Sequence, residues 1–525
     1  MEQFACLLDA LTYTRSRNAK LRLIADYLLA TPDPDRGWAL AALTGTLDLK
    51  AVQPSMLKAR MAERVDATLF ALSHDFVGDM AETISLLWPE PGAEQIVPPS
   101  LDDVVGQLSG LSRREAPMVV AALLDRLDAP GRYALIKLAT GALRAGVSAR
   151  LAKIGLAEAF GLDVEAVEEV WHGLAPPFEP LFRWATGEGP RPTPGDVPVF
   201  RPFMLAGPLE DGTALDLADH AAEWKWDGIR VQIVHAGGHT RLFSRTGDDI
   251  SGSFPDVTLA LPAALDGELL VRGAGQADGI AAAGSFNALQ QRLGRKAPSA
   301  RLLAQRPAFI RVYDLLSLAG EDIRPLPWTE RRARLESVMP VLDPQRFELS
   351  PLVEAQSWDE LAAIRAGARD AAIEGLMLKR RDAPYLAGRK QGLWFKWKRD
   401  ALTADCVLMY AQRGHGKRSS LYSDFTFGCW TEDGQLLPVG KAYSGFTDAE
   451  LAMLDRFVRA NTVQSFGPVR EVEKRLVLEV AFDSIHASTR HKSGLAMRFP
   501  RISRIRSDKP AAEADRLAAL LKLAT

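Results

Sequence analysis

The sequence predicts three domains in one chain: an all-α N-terminal domain, an α+β core and a small C-terminal β-barrel. Three observations carry this reading. A chain of 525 residues has room for about three domains at roughly 100–200 residues each. A stretch rich in proline and glycine, residues 174–208, separates helical from mixed patterning. After about residue 400 the pattern changes again, to short strands punctuated by glycine turns. We place the domains at 1–185, 200–400 and 401–525.

In the first domain apolar residues recur at helical spacing, as in Val119-Val120-Ala121-Ala122-Leu123-Leu124 and Ala134-Leu135-Ile136-Lys137-Leu138. Breaks are expected at Ala129-Pro130-Gly131 and near Gly146, with Ser148 and Asp163 capping the helices that follow. The linker composition includes Ala175-Pro176-Pro177 and Gly187-Glu188-Gly189-Pro190-Arg191-Pro192-Thr193-Pro194-Gly195. In the core, Ile229 to His235 alternates around Val231 and Ile233, turns at Ala236-Gly237-Gly238 and returns through Leu242-Phe243-Ser244, which reads as a hairpin. Turns such as Gly414-His415-Gly416 and Asp433-Gly434 mark the barrel region. No internal repeat is visible.

Hydrophobic residues make up 47% and charged residues 25%, the balance of an ordinary soluble globular protein. No run approaches the ~20 apolar residues of a membrane helix. The opening Met1-Glu2-Gln3-Phe4-Ala5 lacks the basic start of a signal peptide, so a cytoplasmic location is expected. Cys6, Cys406 and Cys429 do not pair at zinc-site spacing, and disulfides are not expected. The net charge of −2 announces no polyanionic partner, but local charge does. Residues 379–400 hold eight Lys/Arg against Asp382 and Asp400, and residues 490–509 hold seven against Asp508. Such runs are usually solvated faces. Interleaving with Trp394, Phe395, Trp397 and Phe499 fits a groove for a phosphate backbone better.

The chemistry centres on Glu223-Trp224-Lys225-Trp226-Asp227-Gly228-Ile229-Arg230, which carries the spacing Lys-x-Asp-Gly-x-Arg. With common residues at roughly 5–7% usage, a chance match in a chain this long is on the order of one in a hundred. If this segment is extended, Glu223, Lys225 and Asp227 share one face. A lysine amine is ordinarily protonated, and nearby cations and partial burial favour its nucleophilic form. Those cations are available in Trp394-Phe395-Lys396-Trp397-Lys398, where period two puts Lys396 and Lys398 on one face and Phe395 and Trp397 on the other. Read alone, that strand is an amphipathic surface strand; after the lysine signature it suits an α-phosphate.

With Leu265-Asp266-Gly267-Glu268, Ile373-Glu374-Gly375-Leu376-Met377-Leu378-Lys379 and Arg504-Ile505-Arg506-Ser507-Asp508-Lys509 following in order, the chain resembles the nucleotidyltransferase superfamily of DNA ligases, RNA ligases and capping enzymes. It is most similar to ATP-dependent DNA ligases of the three-domain, eukaryotic ligase I-like kind, in a bacterial version. The likeness is strongest from about Phe200 to Lys509, with Phe200-Arg201-Pro202-Phe203-Met204-Leu205-Ala206 resembling the start of a ligase core. It implies a helical DNA-binding domain, for which Ala142-Leu143-Arg144-Ala145-Gly146-Val147-Ser148 is a further match, although a generic helical bundle carries the same pattern. The core would be an adenylation (nucleotidyltransferase) domain and the barrel an OB-fold, the oligonucleotide-binding type.

The resemblance also implies roles. Lys225 would be the nucleophile, Glu223 would accept from the adenine amino group, and Arg230 and Arg245 would contact ribose and the nick's phosphate. Tyr313 would stack on adenine, although an aromatic at a strand end is more often core. Glu268 would serve metal and ribose, Glu374 would help hold a divalent ion, and Lys396 and Lys398 would face the α-phosphate. Arg506 and Asp508 would orient the leaving pyrophosphate. Phe499, flanked by Arg498 and Arg501, would press into the minor groove beside the nick. Lys379 differs in parity from Glu374, so a regular strand points the two apart.

The implied reaction seals 5′-phosphate/3′-hydroxyl nicks in duplex DNA through a lysyl-AMP, with ATP and Mg²⁺ or Mn²⁺ as cofactors, by a monomer acting in DNA repair, replication or recombination. Three cysteines cannot build the four-cysteine zinc module of NAD-dependent ligases. The rival readings are an RNA ligase or capping-type nucleotidyltransferase and a catalytically dead DNA-binding scaffold. The long helical domain and the adenine-type Glu223 argue against the first, the complete set of chemical residues against the second.

Overall fold

The computed structural model describes residues 1–525 except 48, 50, 51, 91–96, 113, 142, 144, 194, 211–214, 278, 279, 285, 294, 296, 369–372, 415–419, 489, 490, 524 and 525. The expected features at Ala142 and Arg144, Pro194, His415-Gly416 and Arg490 therefore lie outside the described residues. The chain forms two compact units. One comprises Met1–Asp66 and Met80–Arg399, the other Ala67–Asp79 and Asp400–Thr525.

The first unit opens with helices, and their limits follow local chemistry. Ser148 accepts from the Leu151 amide at 3.2 Å and starts helix Ala149–Phe160; Asp163 accepts from the Glu165 amide at 3.3 Å and starts helix Val164–Trp171. Each bond satisfies an amide that the first helical turn leaves unpaired. The expected break at Ala129-Pro130-Gly131 is a helix start, with Asp128 as cap and Pro130 in the first turn. Helix Ala149–Phe160 lies close on helix Arg17–Ala30, because a Cβ at Gly155 would stand 2.7 Å from Ile24. The linker reading of 174–208 needs correction. It contains helix Glu179–Ala185, anchored by the buried Phe178, Leu181 and Phe182, whose apolar bulk outweighs the flanking prolines and glycines.

Two sheets follow in the same unit. The first has the strand order Gly207–Pro208, Trp394–Lys398, Ile373–Arg380, His220–Trp226, Leu352–Val353; the outermost pair with Gly207–Pro208 is parallel and the rest are antiparallel. The second runs His239–Ser244, Ile229–Ala236, Ala263–Ala277, Ala308–Leu318, Glu321–Asp322, with Ile280–Ala283 and Phe347–Leu349 beside it. The expected hairpin is present, and Gly237 and Gly238 both take positive φ, as its two-residue turn requires. Phe200, Phe203, Val234, Phe243, Ala264, Leu316, Tyr385 and Trp394 form one core that joins residues of both sheets. The lysine signature spans the crossing between them: Lys225 lies near the end of strand His220–Trp226 of the first, and Arg230 near the start of strand Ile229–Ala236 of the second. Gly228 sits at the crossing because there is no room for a side chain; a Cβ would stand 2.5 Å from the Leu269 carbonyl oxygen.

In the second unit the long strand Leu402–Arg413 pairs with Tyr422–Trp430 on one side and with Val469–Val472 and Val477–Phe482 on the other. Leu436–Ala442 lies beyond Tyr422–Trp430, Thr462–Phe466 beyond Val469–Val472, and Arg501–Arg506 beside Val477–Phe482. Cys406, Phe425, Phe427, Cys429, Leu478 and Val480 are among its core residues, packed with helix Asp448–Ala460. The turn at Asp433-Gly434 is as expected, with Gly434 at φ +80°. Among the described residues the sheet ladder does not close, although the Ile502 amide donates to the Ser444 carbonyl at 3.0 Å across its two ends. Among the described residues, no helix is long and apolar enough to cross a membrane.

Candidate active site

The site is built on three neighbouring strands of the first sheet. Gly375 pairs with Lys225 on one side and with Lys398 on the other; Met377 pairs with Glu223 and with Lys396. Facing residues of adjacent strands share a side of the sheet. Glu223, Lys225, Lys396 and Lys398 therefore line one face, as period two predicts. Phe395 and Trp397 pack behind it with Trp224, Leu376 and Leu378. Asp227 departs from expectation: the strand ends at Trp226, and Asp227 lies in the bend that follows.

A bulge changes the expectation for the acidic strand. Between Ile373 and Gly375 the register slips, so two residues oppose one of the partner strand. Gly375 there has φ +147°, and a Cβ would stand 2.3 Å from the Trp397 carbonyl oxygen. Such a bulge re-aims a side chain. It turns Glu374 onto the Lys225 face, while Lys379, paired with Ala221, stays on that face as well. Glu374 and Lys379 thus face the same side, against the parity argument.

The Glu374 carboxylate forms a short hydrogen-bonded ion pair with the Lys225 amine and lies 3.3 Å from Lys398 Nζ. Burial works against its charge, but Lys225 and Lys398 hold the carboxyl below the ordinary glutamate range. Glu268 accepts from the Gly228 amide at 3.1 Å. Burial pushes its carboxyl up to about 7 against the pull of Lys225 and Arg230, with Glu374 adding repulsion. Lys396 is held below the ordinary lysine range, first by burial and then by the surrounding Arg389, Lys398, Lys225 and Arg245. Five cations thus converge on one place, as a cluster awaiting an anion does.

Deeper in, Glu223 accepts from Lys379 Nζ at 3.1 Å, both side chains being buried, and Arg332 Nη1 stands 3.9 Å away. Burial raises the Glu223 carboxyl above its ordinary value, against Lys379 and Arg332. Lys379 Nζ lies 4.4 Å from the Tyr313 ring centre, so Glu223, Lys379 and Tyr313 are contiguous. Arg230 is held in place: Nε and Nη2 reach Asp266 at 3.1 and 2.7 Å, Nη1 reaches the Met204 carbonyl at 2.8 Å, and Nη2 also reaches Tyr385. Of the five N–H groups of a guanidinium, one is left for a ligand. Arg245 lies exposed in the turn after Ser244.

In the second unit, Arg506 binds Asp508 through Nη2 at 3.0 Å and Asp405 through Nη1 at 3.1 Å; Lys509 Nζ reaches Asp405 at 2.7 Å. Phe499 links strands Leu495–Arg498 and Arg501–Arg506, with φ +50° and 57% exposure, and Arg498 stands 4.9 Å from its ring centre. Positive φ is uncommon for a bulky residue and marks constraint. Arg501 pairs with Asp483 at 3.1 Å.

Sequence reasoning missed Asp266, Tyr385 and Arg389. Asp266 was legible in principle, since it stands two residues before Glu268 and so shares its face. Arg389 was counted in a charge run without a role. No sequence signal marks Tyr385, whose hydroxyl donates to Asp266 at 2.7 Å from a distant loop.

Residues 204–398 match the model of the ATP dependent DNA ligase domain, and residues 418–509 that of the ATP dependent DNA ligase C terminal region. The chain is 33% identical to a probable DNA ligase of Koribacter versatilis over 98% of its own length and 95% of the relative's. It is 30% identical to DNA ligase 1 of Korarchaeum cryptofilum, over 98% and 96%. The solved structure Pmar-Lig_PreS3 shares its fold, with a TM-score of 0.58 at 15% identity over 96% of this chain and 99% of that one. The chain belongs to the ATP-dependent DNA ligase family.

Proposed function

We propose that the chain seals 5′-phosphate/3′-hydroxyl nicks in duplex DNA, with Lys225 as the nucleophile. The observation that carries this is the three-strand register that sets Lys225, Glu374, Lys396 and Lys398 on one face. The Lys225 nitrogen attacks the α-phosphorus of ATP, the bond to the β-phosphate oxygen breaks and pyrophosphate leaves. A 5′-phosphate oxygen of the nick then attacks the AMP phosphorus and releases the lysine. Finally the 3′-hydroxyl attacks the 5′-phosphorus and AMP leaves. Lys396 and Lys398, with Arg389 beside them, stabilise the charge that develops at phosphorus, and Arg245 takes the nick's phosphate in the later steps. Lys225 starts out bound to Glu374 and must release that bond before it attacks.

A divalent ion fits this donor set. Glu268 and Glu374 offer hard carboxylate oxygens, and Mg²⁺ needs only one or two of these besides water and phosphate. Among the described residues no cage of three or more His, Cys, Asp or Glu forms, which suits an ion that phosphate completes. Mg²⁺ or Mn²⁺ bound there would neutralise phosphate charge.

Glu223, held beside Lys379 and Arg332, offers a carboxyl oxygen to the adenine amino group, and Tyr313 suits the base's face. Phe499, Arg498 and Arg501 would meet the minor groove, and Arg506 and Asp508 the leaving pyrophosphate. We keep the domain limits at 1–185, 200–400 and 401–525, with the last as an OB-fold; the Ile502–Ser444 backbone bond across the sheet ends supports it. A monomer acting on chromosomal DNA in the cytoplasm accords with this reading.

Incubation with labelled ATP, GTP or NAD and Mg²⁺ tests the reading. AMP from ATP should label Lys225 through an acid-labile phosphoramidate. Label that persists in Lys225→Ala, or that comes from NAD and not from ATP, refutes it.

A further inference from the structure

The first unit contains a seat between its helical part and the hairpin that carries Arg245. His172, directly after helix Val164–Trp171, places its ring 4.6 Å from the ring centre of Phe243 and 5.9 Å from that of Phe200. Phe243 stands two residues before Arg245. It is fully buried and forms an antiparallel bridge with Asp249, which closes the stem of the loop. Within the loop the Ser244 amide donates to the Asp248 carbonyl and the Ile250 amide to the Leu242 carbonyl, both at 2.8 Å. Gly247 at the tip has φ +84°, and its missing Cβ would stand 3.1 Å from the Phe200 ring. The loop therefore rests on Phe200 and is gripped at its stem by Phe243, and His172 covers both.

The Arg245 side chain is exposed and makes no hydrogen bond or ion pair among the described residues, so the loop sets the point from which it reaches. Whatever fixes the loop fixes the place from which the arginine reaches. We propose that His172 is a positioning residue for Arg245, through which the seating of the helical domain controls the attack on the nick's phosphate but not the formation of lysyl-AMP. This rests on the reading of Arg245 as a ligand of that phosphate. Burial keeps His172 down at about 4, so the ring packs as a neutral aromatic across the working range. Its Nε2 has no hydrogen-bond partner, consistent with a ring placed for its shape.

The test uses the full chain and a nicked duplex already carrying AMP on its 5′-phosphate. His172→Ala, His172→Phe, Arg245→Ala and the double variant His172→Ala/Arg245→Ala are compared in single-turnover sealing at saturating duplex. Nick affinity and self-adenylation from ATP are measured beside it. A displaced catalytic group can cost up to ~100-fold in rate, and His172→Ala should slow sealing on that scale while labelling itself like the wild type. His172→Phe, which keeps the flat ring, should restore sealing, and this also excludes simple misfolding. The double variant should seal no more slowly than Arg245→Ala, because the two act as one unit. Wild-type sealing by His172→Ala, fully multiplicative losses in the double variant, or a loss seen only in nick affinity overturns the coupling. Normal sealing by Arg245→Ala overturns the reading of Arg245 and the coupling with it. Absence of self-adenylation in the wild type overturns the ligase reading separately.

Discussion

Replacing Glu268 with glutamine should remove activity and at the same time make the protein more tolerant of alkaline pH. The carboxyl stands at about 7 in the folded chain against an ordinary 4.5, chiefly through burial. A carboxyl raised in this way binds its proton more tightly when folded. Its contribution to stability is fully present below the unfolded value and is lost as pH rises through 7. The full displacement corresponds to at most ~3.4 kcal/mol, of which about 1.3 kcal/mol falls between pH 6 and pH 8. Glu268 is half-buried rather than sealed off, so solvent screening reduces the loss over that interval to roughly 0.7 kcal/mol. At about 2–4 °C per kcal/mol, the wild type should fall by ~2 °C relative to Glu268→Gln from pH 6 to pH 8. The assay is thermal unfolding followed by tryptophan fluorescence in EDTA, taken as the difference between the two proteins so that other titrating groups cancel. Adding Mg²⁺ at pH 8 should stabilise the wild type alone, and self-adenylation should fail in the variant. Parallel pH curves, or a wild type that gains on the variant as pH rises, would refute the placement of this charge.

Gly375→Ala should destabilise the core by roughly 2–6 kcal/mol, from backbone strain plus the clash with Trp397, and should suppress self-adenylation; a wild-type melting point would sink the role given to the bulge. Arg506→Ala and Asp508→Ala should block lysyl-AMP formation yet seal a pre-adenylated nick, on the reading that they orient the leaving pyrophosphate, which only the first step releases. Lys396→Ala should impair both reactions, and equal losses in all three variants at the pre-adenylated nick would remove that distinction. Removing residues 1–185 should spare self-adenylation but weaken nick binding and sealing, and full-length binding should fall steeply with salt; full-length sealing rates in the truncated protein would exclude a clamp role.

Much of the site was legible because strand parity survives folding. Glu223, Lys225, Lys396 and Lys398 obey period two, and their shared face follows from spacing alone. Glu374 was misjudged against Lys379 because a bulge adds a residue without leaving a periodic trace; the glycine after it was the available hint. Asp266 and Tyr385 were missed because their partners come from elements brought together by tertiary packing. The helix within the linker was hidden by composition, since three apolar residues outweigh many prolines once they are buried. The helical caps were found because their cause is local.

The grip on Arg230 bears on how such chains are recognised. Asp266 is fully buried and accepts from both Arg230 and Tyr385, so the final letter of the lysine signature is tied to two residues far along the chain. A lysine at that position offers a single point charge where a planar fork is needed. A sequence that matches the short signature by accident has no reason to supply the aspartate and the tyrosine at compatible places. In this chain the three hold one another, so a change at Asp266 or Tyr385 reaches the last letter of the signature without touching it.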